Sequence, residues 1–374
     1  MSKIVVIAGL AESLIRFRGD LLDAMRANGH EVIAIAPEDD DSVRKRLSEK
    51  GIKYHVVPMA RTGFNPFADL WYLVKLSQCL WRINPDLVLA YTIKPVVYGL
   101  PAARLARVNR RYALITGLGY AFTDAEASLS RNIIKKLASN LYKFGLRSAT
   151  GLFFQNPDDQ ELFREQGIYR KSVPSYVING SGVDTESFAQ LPLPSQPNFL
   201  FIGRVLRDKG VVEYADAARS IKSNYPQATF HLVGPLDSNP SGITAETVSS
   251  WVKEGHIQYH GAVSDVKPHI AACSVFVLPS YREGTPRSVL EAMSSGRAIV
   301  TTDAPGCRET VIEGGNGYLV KPRDSDDLAR AMERLAGSPE LREQMGRKSR
   351  ELAVQKYDVH QVNTTMLEAM NLLR

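Results

Sequence analysis

The strongest constraint on this chain is a rhythm. Short apolar, β-branched runs at 4–8, 31–36, 54–58, 87–91, 112–115, 151–155 and 176–178 are separated by crossover-length segments. Some of those segments, such as 19–28 and 70–83, carry helix periodicity. Alternating strands and helices of this kind build parallel sheets, because a parallel pair needs a long connection. The rhythm then breaks at Leu191-Pro192-Leu193-Pro194-Ser195-Gln196-Pro197, where three prolines exclude a helix interior or a central strand. It restarts with runs at 198–202, 229–233, 257–260, 275–279, 298–302 and 317–320. Charged helices at 325–337 and 339–355 and a last helix at 359–373 follow. The expectation is an α/β protein of two doubly wound, Rossmann-like domains facing across a cleft. Residues 1–184 would form the first domain, 185–197 a linker and 198–355 the second domain, with 356–374 a terminal helix returning to the first. Ligands of such sheets sit beyond the carboxyl ends of the strands, so the site is sought there.

Composition narrows the class. With 374 residues, 44% apolar and 23% charged, each half can bury its own core. No apolar run approaches the roughly 18 residues of a membrane span, and the opening run after Lys3 reads as a buried first strand. Cys79, Cys273 and Cys307 show no metal-ligand spacing, which fits a reducing compartment. The net charge of +6 is uneven: residues 61–147 hold 13 Lys and Arg against 4 Asp and Glu. Such a surface attracts phosphates, on lipid or nucleic acid.

Two clusters in the second half can do chemistry. Gly203-Arg204 and Asp208-Lys209-Gly210 follow the 198–202 run and open a helix. A glycine turn at a helix N-terminus presents backbone N–H groups to an anion, and Arg204 and Lys209 can close on a diphosphate from two sides. The second is Pro279-Ser280-Tyr281-Arg282-Glu283-Gly284-Thr285-Pro286, followed by a helix carrying Glu291. One glutamate can accept from sugar hydroxyls and the other from a ribose diol, while Gly284 and Thr285 offer N–H groups. The acidic clusters Asp39-Asp40-Asp41 and Asp324-Ser325-Asp326 read as a polar loop and a helix cap, so no metal is expected.

Gly203-Arg204 with Lys209-Gly210, and Glu283 and Glu291 within Glu-Gly-Thr-Pro-Arg-Ser-Val-Leu-Glu-Ala-Met, together resemble glycosyltransferase family 4 on the GT-B fold. Leu232-Val233-Gly234-Pro235, Tyr259-His260-Gly261 and Asn179-Gly180-Ser181-Gly182-Val183-Asp184 extend the resemblance. The first half is similar to bacterial N-acetylhexosaminyltransferases of surface-glycan assembly, in Tyr91-Thr92-Ile93-Lys94-Pro95-Val96-Val97-Tyr98-Gly99 and Thr116-Gly117-Leu118-Gly119-Tyr120-Ala121-Phe122. The resemblance implies a retaining, metal-independent transfer from a UDP-sugar, which is a substrate and no cofactor, to a polyprenyl-diphosphate-linked saccharide. Arg204, Lys209 and Glu283 would be catalytic. Gly9, Gly203, Gly234, Gly261, Val263, Gly284, Thr285, Pro286 and Glu291 would bind donor, with Gly234, Gly261 and Val263 at the base. Lys94, Thr116, Gly117 and Gly119 would lie on the acceptor side. Many family members carry a His where this chain has Thr116-Gly117; His30 and His55 read as strand-edge structure.

Residues 104–147 hold nine basic residues against Asp124 and Glu126. Helical spacing aligns Ile133, Leu137, Leu141 and Phe144 beside Arg131, Lys135, Lys136 and Lys143, a pattern that suits either a basic amphipathic membrane surface or core packing. The expectation is a cytoplasmic protein docked by those four cations on the inner face of the membrane. Competing readings are an epimerase of the same architecture and a non-catalytic nucleic-acid binder. Bases interleaved with exposed aromatics, which the latter needs, are not evident, and no nucleic-acid partner is expected.

Overall fold

The computed structural model describes residues 1–60, 63, 65–118, 129–237, 239 and 241–373, with backbone alone at 129–132. Two compact units emerge. The first comprises Met1–Ser181 and His360–Arg374, the second Gly182–Val359.

Among the described residues the first unit holds seven strands: β1 (Lys3–Ile7), β2 (Glu31–Ala36), β3 (Lys53–Val56), β4 (Leu87–Tyr91), β5 (Arg110–Ile115), β6 (Gly151–Phe154) and β7 (Ser175–Val177). They form one sheet in the order β3-β2-β1-β4-β5-β6-β7, with every pairing parallel. Successive side chains of a strand point to opposite faces. Accordingly Val5 and Ile7 join one apolar cluster and Ile4, Val6 and Ala8 the other, so both faces are covered and the run reads as continuously apolar. Helices Pro66–Ile83, Leu100–Leu105 and Leu129–Leu146 lie on the Val5 face, contributing Tyr72, Leu76, Leu100, Ala138 and Tyr142 to its core. The opposite face is completed by Met366, Leu367, Met370 and Leu372, at and beyond the end of helix Val359–Ala369. His30 fastens this segment: its Nδ1 accepts from the Ser2 N–H at 3.1 Å and its Nε2 donates to the Leu372 carbonyl at 2.8 Å.

The second unit holds β8 (Asn198–Ile202), β9 (Thr229–Val233), β10 (Gln258–Tyr259), β11 (Val275–Leu278), β12 (Ala298–Thr302) and β13 (Gly317–Val320). Their order is β10-β9-β8-β11-β12-β13, again all parallel. The proline-rich stretch is an ordered strap on this unit. Fully buried Arg297 donates from Nη1 to the Leu191 carbonyl at 2.7 Å and from Nη2 to the Pro192 carbonyl at 3.1 Å. Buried Arg342 donates to the Ser195 carbonyl at 2.9 Å. Carbonyls are the partners because a guanidinium only donates, and its fork can reach several acceptors at once. Among the described residues no helix is long and apolar enough to cross a membrane.

Candidate active site

In the second sheet the strand order reverses between β8 and β11, and the loops after neighbouring strands gather at their carboxyl ends. Gly203-Arg204 follows β8, Gly234-Pro235-Leu236-Asp237 follows β9, Gly261 follows β10, and Ser280 to Pro286 follows β11. Glycine is required where these loops touch. A Cβ on Gly234 (φ 147°) would lie 1.8 Å from the Gly203 carbonyl oxygen, and one on Gly210 (φ 73°) would lie 2.1 Å from that of Pro279. The β8 and β11 loops are stitched together. The Tyr281 N–H donates to the Asp208 carbonyl at 2.9 Å, and the Tyr281 hydroxyl donates to Glu213 at 2.5 Å. That carboxylate and burial raise the Tyr281 pKa, burial being the larger cause.

Three cation–carboxylate pairs occupy these loops. Lys209 Nζ is bonded to Glu283 Oε1, and both side chains are largely buried. Arg287 Nε donates to Glu291 Oε1 at 2.9 Å across one helical turn of Arg287–Ser294. Arg204 Nη1 donates to Asp237 Oδ2 at 2.9 Å, with the Arg204 side chain 55% exposed. The Asn239 backbone N–H and, secondarily, Arg204 hold the Asp237 carboxyl below its ordinary pKa. Glu283 is further positioned through its own N–H, which donates to the Pro305 carbonyl at 2.9 Å. Helix Arg287–Ser294 begins without a side-chain cap, behind Gly284, Thr285 and the extended Pro286. Its first turn therefore points backbone donors at the same loop. Val263 is half-buried near the end of the β10 loop, and Gly261 (φ 67°) accepts the Gly234 N–H at 2.8 Å.

Arg204, Lys209 and Glu283 thus come together with the second-half glycines and Glu291. Asp237, Arg287 and Tyr281 are new to the site. Both cations expected to face a diphosphate, Arg204 and Lys209, are each held by a carboxylate.

In the first unit, Gly9 and Thr92 follow β1 and β4, where that sheet also reverses order. They touch closely enough that a Cβ on Gly9 would lie 2.6 Å from Thr92 Oγ1, and Thr92 itself takes φ 67°. Thr116 and Gly117 (φ 100°) are half-buried after β5. Gly119 lies outside the described residues. Lys94 departs from the acceptor-side expectation: it is buried, donates to Asp69 at 2.9 Å, and shares that carboxylate with the Tyr98 hydroxyl at 3.0 Å. His55 is exposed, with its pKa lowered by desolvation and by Lys53 and Arg44.

On helix Leu129–Leu146, Ala138, Tyr142 and Leu146 face the core, whereas Ile133, Leu137 and Phe144 are exposed and Leu141 half-buried. The apolar stripe read from the sequence is therefore largely an outer face. Lys136 is exposed on it, Lys135 and Lys143 are half-buried, and the Arg131 side chain lies outside the described residues. The acidic clusters are structural: Asp40 and Asp324 cap helices, accepting from the Val43 and Asp327 N–H groups at 3.0 and 2.8 Å. Among the described residues no group of three or more His, Cys, Asp or Glu is placed to hold a metal ion.

Residues 196–338 match the family described as glycosyl transferases group 1, and residues 15–174 the glycosyl transferase 4-like domain. A Campylobacter jejuni N,N'-diacetylbacillosaminyl-diphospho-undecaprenol alpha-1,3-N-acetylgalactosaminyltransferase is 31% identical over 360 residues, covering 92% of each chain. This chain belongs to glycosyltransferase family 4. An Escherichia coli UDP-Gal:alpha-D-GlcNAc-diphosphoundecaprenol alpha-1,3-galactosyltransferase is 28% identical over 79% of the glycosyltransferase and 76% of its own length. Anabaena HepE, solved in complex with UDP and glucose, superposes with a TM-score of 0.77 over all of both chains at 21% identity. The glycosyltransferase therefore has the GT-B fold, built from two Rossmann-like parallel-sheet domains.

Proposed function

We propose that this glycosyltransferase moves an N-acetylhexosamine from a UDP donor to a polyprenyl-diphosphate-linked saccharide in bacterial glycan assembly. It does so with retention and without a metal ion, at the inner face of the cytoplasmic membrane. The observation that carries the reading is the Lys209–Glu283 pair at the switch point of the second sheet, in a chain 31% identical over 92% of its length to a transferase with such an acceptor in its name.

In this reading Lys209 and Arg204 hold the donor diphosphate, the charge a metal would otherwise supply. Glu283 accepts from the hydroxyls of the transferred sugar and Glu291 from the ribose diol, while Gly234, Gly261 and Val263 flank the base. The bond from the anomeric carbon to the diphosphate oxygen breaks as the acceptor oxygen bonds the same face of that carbon. The acceptor proton passes to the departing phosphate oxygen, whose growing charge Lys209 and Arg204 stabilise. Because Lys209 is already fixed by Glu283, its ammonium needs little reorganisation when that charge develops. Membrane attachment is supported by exposed Lys136 and half-buried Lys135 and Lys143 on helix Leu129–Leu146, whose Ile133, Leu137 and Phe144 are exposed.

The test is a screen of UDP-sugars with a polyprenyl-diphosphate-sugar acceptor, read by mass spectrometry, with the anomeric configuration of the product read by NMR. Transfer of UDP-N-acetylhexosamine with retained configuration is expected. Inversion, or transfer to no lipid-linked acceptor, sinks the reading.

A further inference from the structure

Helix Pro66–Ile83 is apolar on both sides. Tyr72, Leu76 and Leu80 face the core, while Phe67, Leu70, Trp71, Val74 and Trp81 face outward at intervals of three, four or seven residues. Phe67 is 86% exposed and Trp81 71%. An amphipathic surface helix turns charge toward water, so an outer stripe of this kind marks a face that something else covers. The neighbours extend it. Helices Pro66–Ile83, Leu100–Leu105 and Leu129–Leu146 bury their inner sides in one core cluster on one face of the sheet, so their outer sides form one surface. The third helix packs close: a Cβ on Gly145 would lie 2.7 Å from Val97 Cα. Of the 19 large apolar side chains exposed among the described residues, ten lie on these three helices, so exposed apolar side chains are concentrated in this layer.

Charge identifies the occupant. The three helices carry seven cations, Lys75, Arg82, Arg104, Arg131, Lys135, Lys136 and Lys143, and one carboxylate. That carboxylate, Asp69, is buried against Lys94. Two copies of this face would bring cation against cation, which disfavours self-association. Apolar anchors, tryptophans and lysines on three helices whose one acid is buried match a bilayer, where rings enter the headgroup boundary and ammonium groups meet anionic lipid. Lys75 lies 5.6 Å from the centre of the Trp71 ring, placing cation and ring side by side.

We infer that helix Pro66–Ile83, through Phe67, Leu70, Trp71, Val74 and Trp81, inserts into the headgroup–acyl boundary of an anionic bilayer, with the cations of the two neighbouring helices adding electrostatic attachment. This deepens the proposed membrane attachment and rests on it for its biological use. It moves the principal anchor from the Leu129–Leu146 lysines to the Pro66–Ile83 aromatic face. Attachment then has an apolar component that salt does not screen.

The test uses the full chain and vesicles of phosphatidylglycerol and phosphatidylcholine in equal parts, with no donor or acceptor present. Flotation should show binding that weakens with salt yet persists at high salt. Acyl-brominated lipid should quench the tryptophan emission of bound protein. Of the three tryptophans, Trp251 is buried in the second unit, so quenching reports Trp71 and Trp81. The combined variant Leu70→Ser, Trp71→Ser, Trp81→Ser should bind vesicles at least about tenfold more weakly at high salt, with its circular-dichroism melt and UDP affinity unchanged. Lys135→Ser, Lys136→Ser, Lys143→Ser should lose affinity at low salt only. Undiminished binding by the first variant, no quenching of bound parent, or a lipid-free dimer that shields both tryptophans would each overturn the inference. Transfer to a short-prenyl, water-soluble acceptor is measured separately: its failure in the parent removes the proposed reaction and leaves the vesicle result standing.

Discussion

The cations of the two units are used differently. At the carboxyl ends of the second sheet, Lys209, Arg204 and Arg287 each meet a carboxylate, and Lys209 and Glu283 are largely shielded from water. The three outer helices of the first unit carry seven cations in their sequence and one carboxylate, Asp69, which is buried against Lys94. A carboxylate partner fixes where a cation sits, which suits a small anion that must be met in one geometry. A surface without acids suits a broad anionic plane, which supplies its own counter-charge and asks for no register.

The largest expected effect breaks the first half of that contrast. Lys209→Met removes the proposed diphosphate contact and also takes its cation from the Glu283 carboxylate, which is 13% exposed. Since a charged hydrogen bond is worth about 1.5–3 kcal/mol, kcat/KM should fall by about 100-fold or more. Arg204→Ala should cost about 10- to 100-fold on the same reasoning. It should be the milder of the two because its pair with Asp237 is more exposed. Steady-state kinetics on folded proteins rank them, and the reverse order would mean that shielding does not set the importance of these pairs.

The glutamates come next. Glu283→Gln should lower turnover with little change in UDP affinity, and Glu291→Gln should weaken UDP itself. Calorimetry with UDP decides, and equal loss in both abolishes the division between sugar and ribose. A smaller effect is expected for Asp237→Asn, which releases Arg204 from a carboxylate. UDP affinity should rise by about two- to fivefold, since exposed pairs are worth up to about 1 kcal/mol. A fall would make Asp237 a positioning group that the donor needs. Smallest of all is the response to chelation: transfer should persist in a large excess of EDTA, with Lys209 and Arg204 supplying the charge. Loss restored by Mg²⁺ would mean that the paired cations are insufficient.

The sequence foretold the thirteen strands found among the described residues to within two residues at each end, because a parallel strand covered on both faces is an uninterrupted apolar run. Gly234 stood in a motif that carried the family resemblance, and its tight contact with the Gly203 carbonyl oxygen shows why a side chain does not fit there. The start of the Pro66–Ile83 helix was less legible. Helical period suggests 70–83, yet the helix begins at Pro66, capped by Asn65, whose side chain accepts from the Phe67 and Ala68 N–H groups at 3.2 Å. An Asn-Pro pair before an apolar run is a start signal, and the extra turn brings Phe67 onto the outer face. Which charges pair was hidden for another reason. Lys209 and Glu283 are 74 residues apart and Arg204 and Asp237 are 33 apart, so these meetings depend on strand order. Lys94 likewise sits in a motif that draws the eye to its charge, yet it is buried and paired with Asp69, 25 residues upstream on another helix.

The segment at 366–372 has a consequence for how the chain matures. All seven strands of the first sheet have been synthesised by residue 177, but one of its faces lacks Met366, Leu367, Met370 and Leu372 until the whole second unit has been made. The second unit is contiguous in sequence and carries every strand of its own sheet. Domains usually mature in the order of translation. Here the earlier-born unit finishes last, and until then the uncovered part of that face is what a nascent-chain chaperone would find.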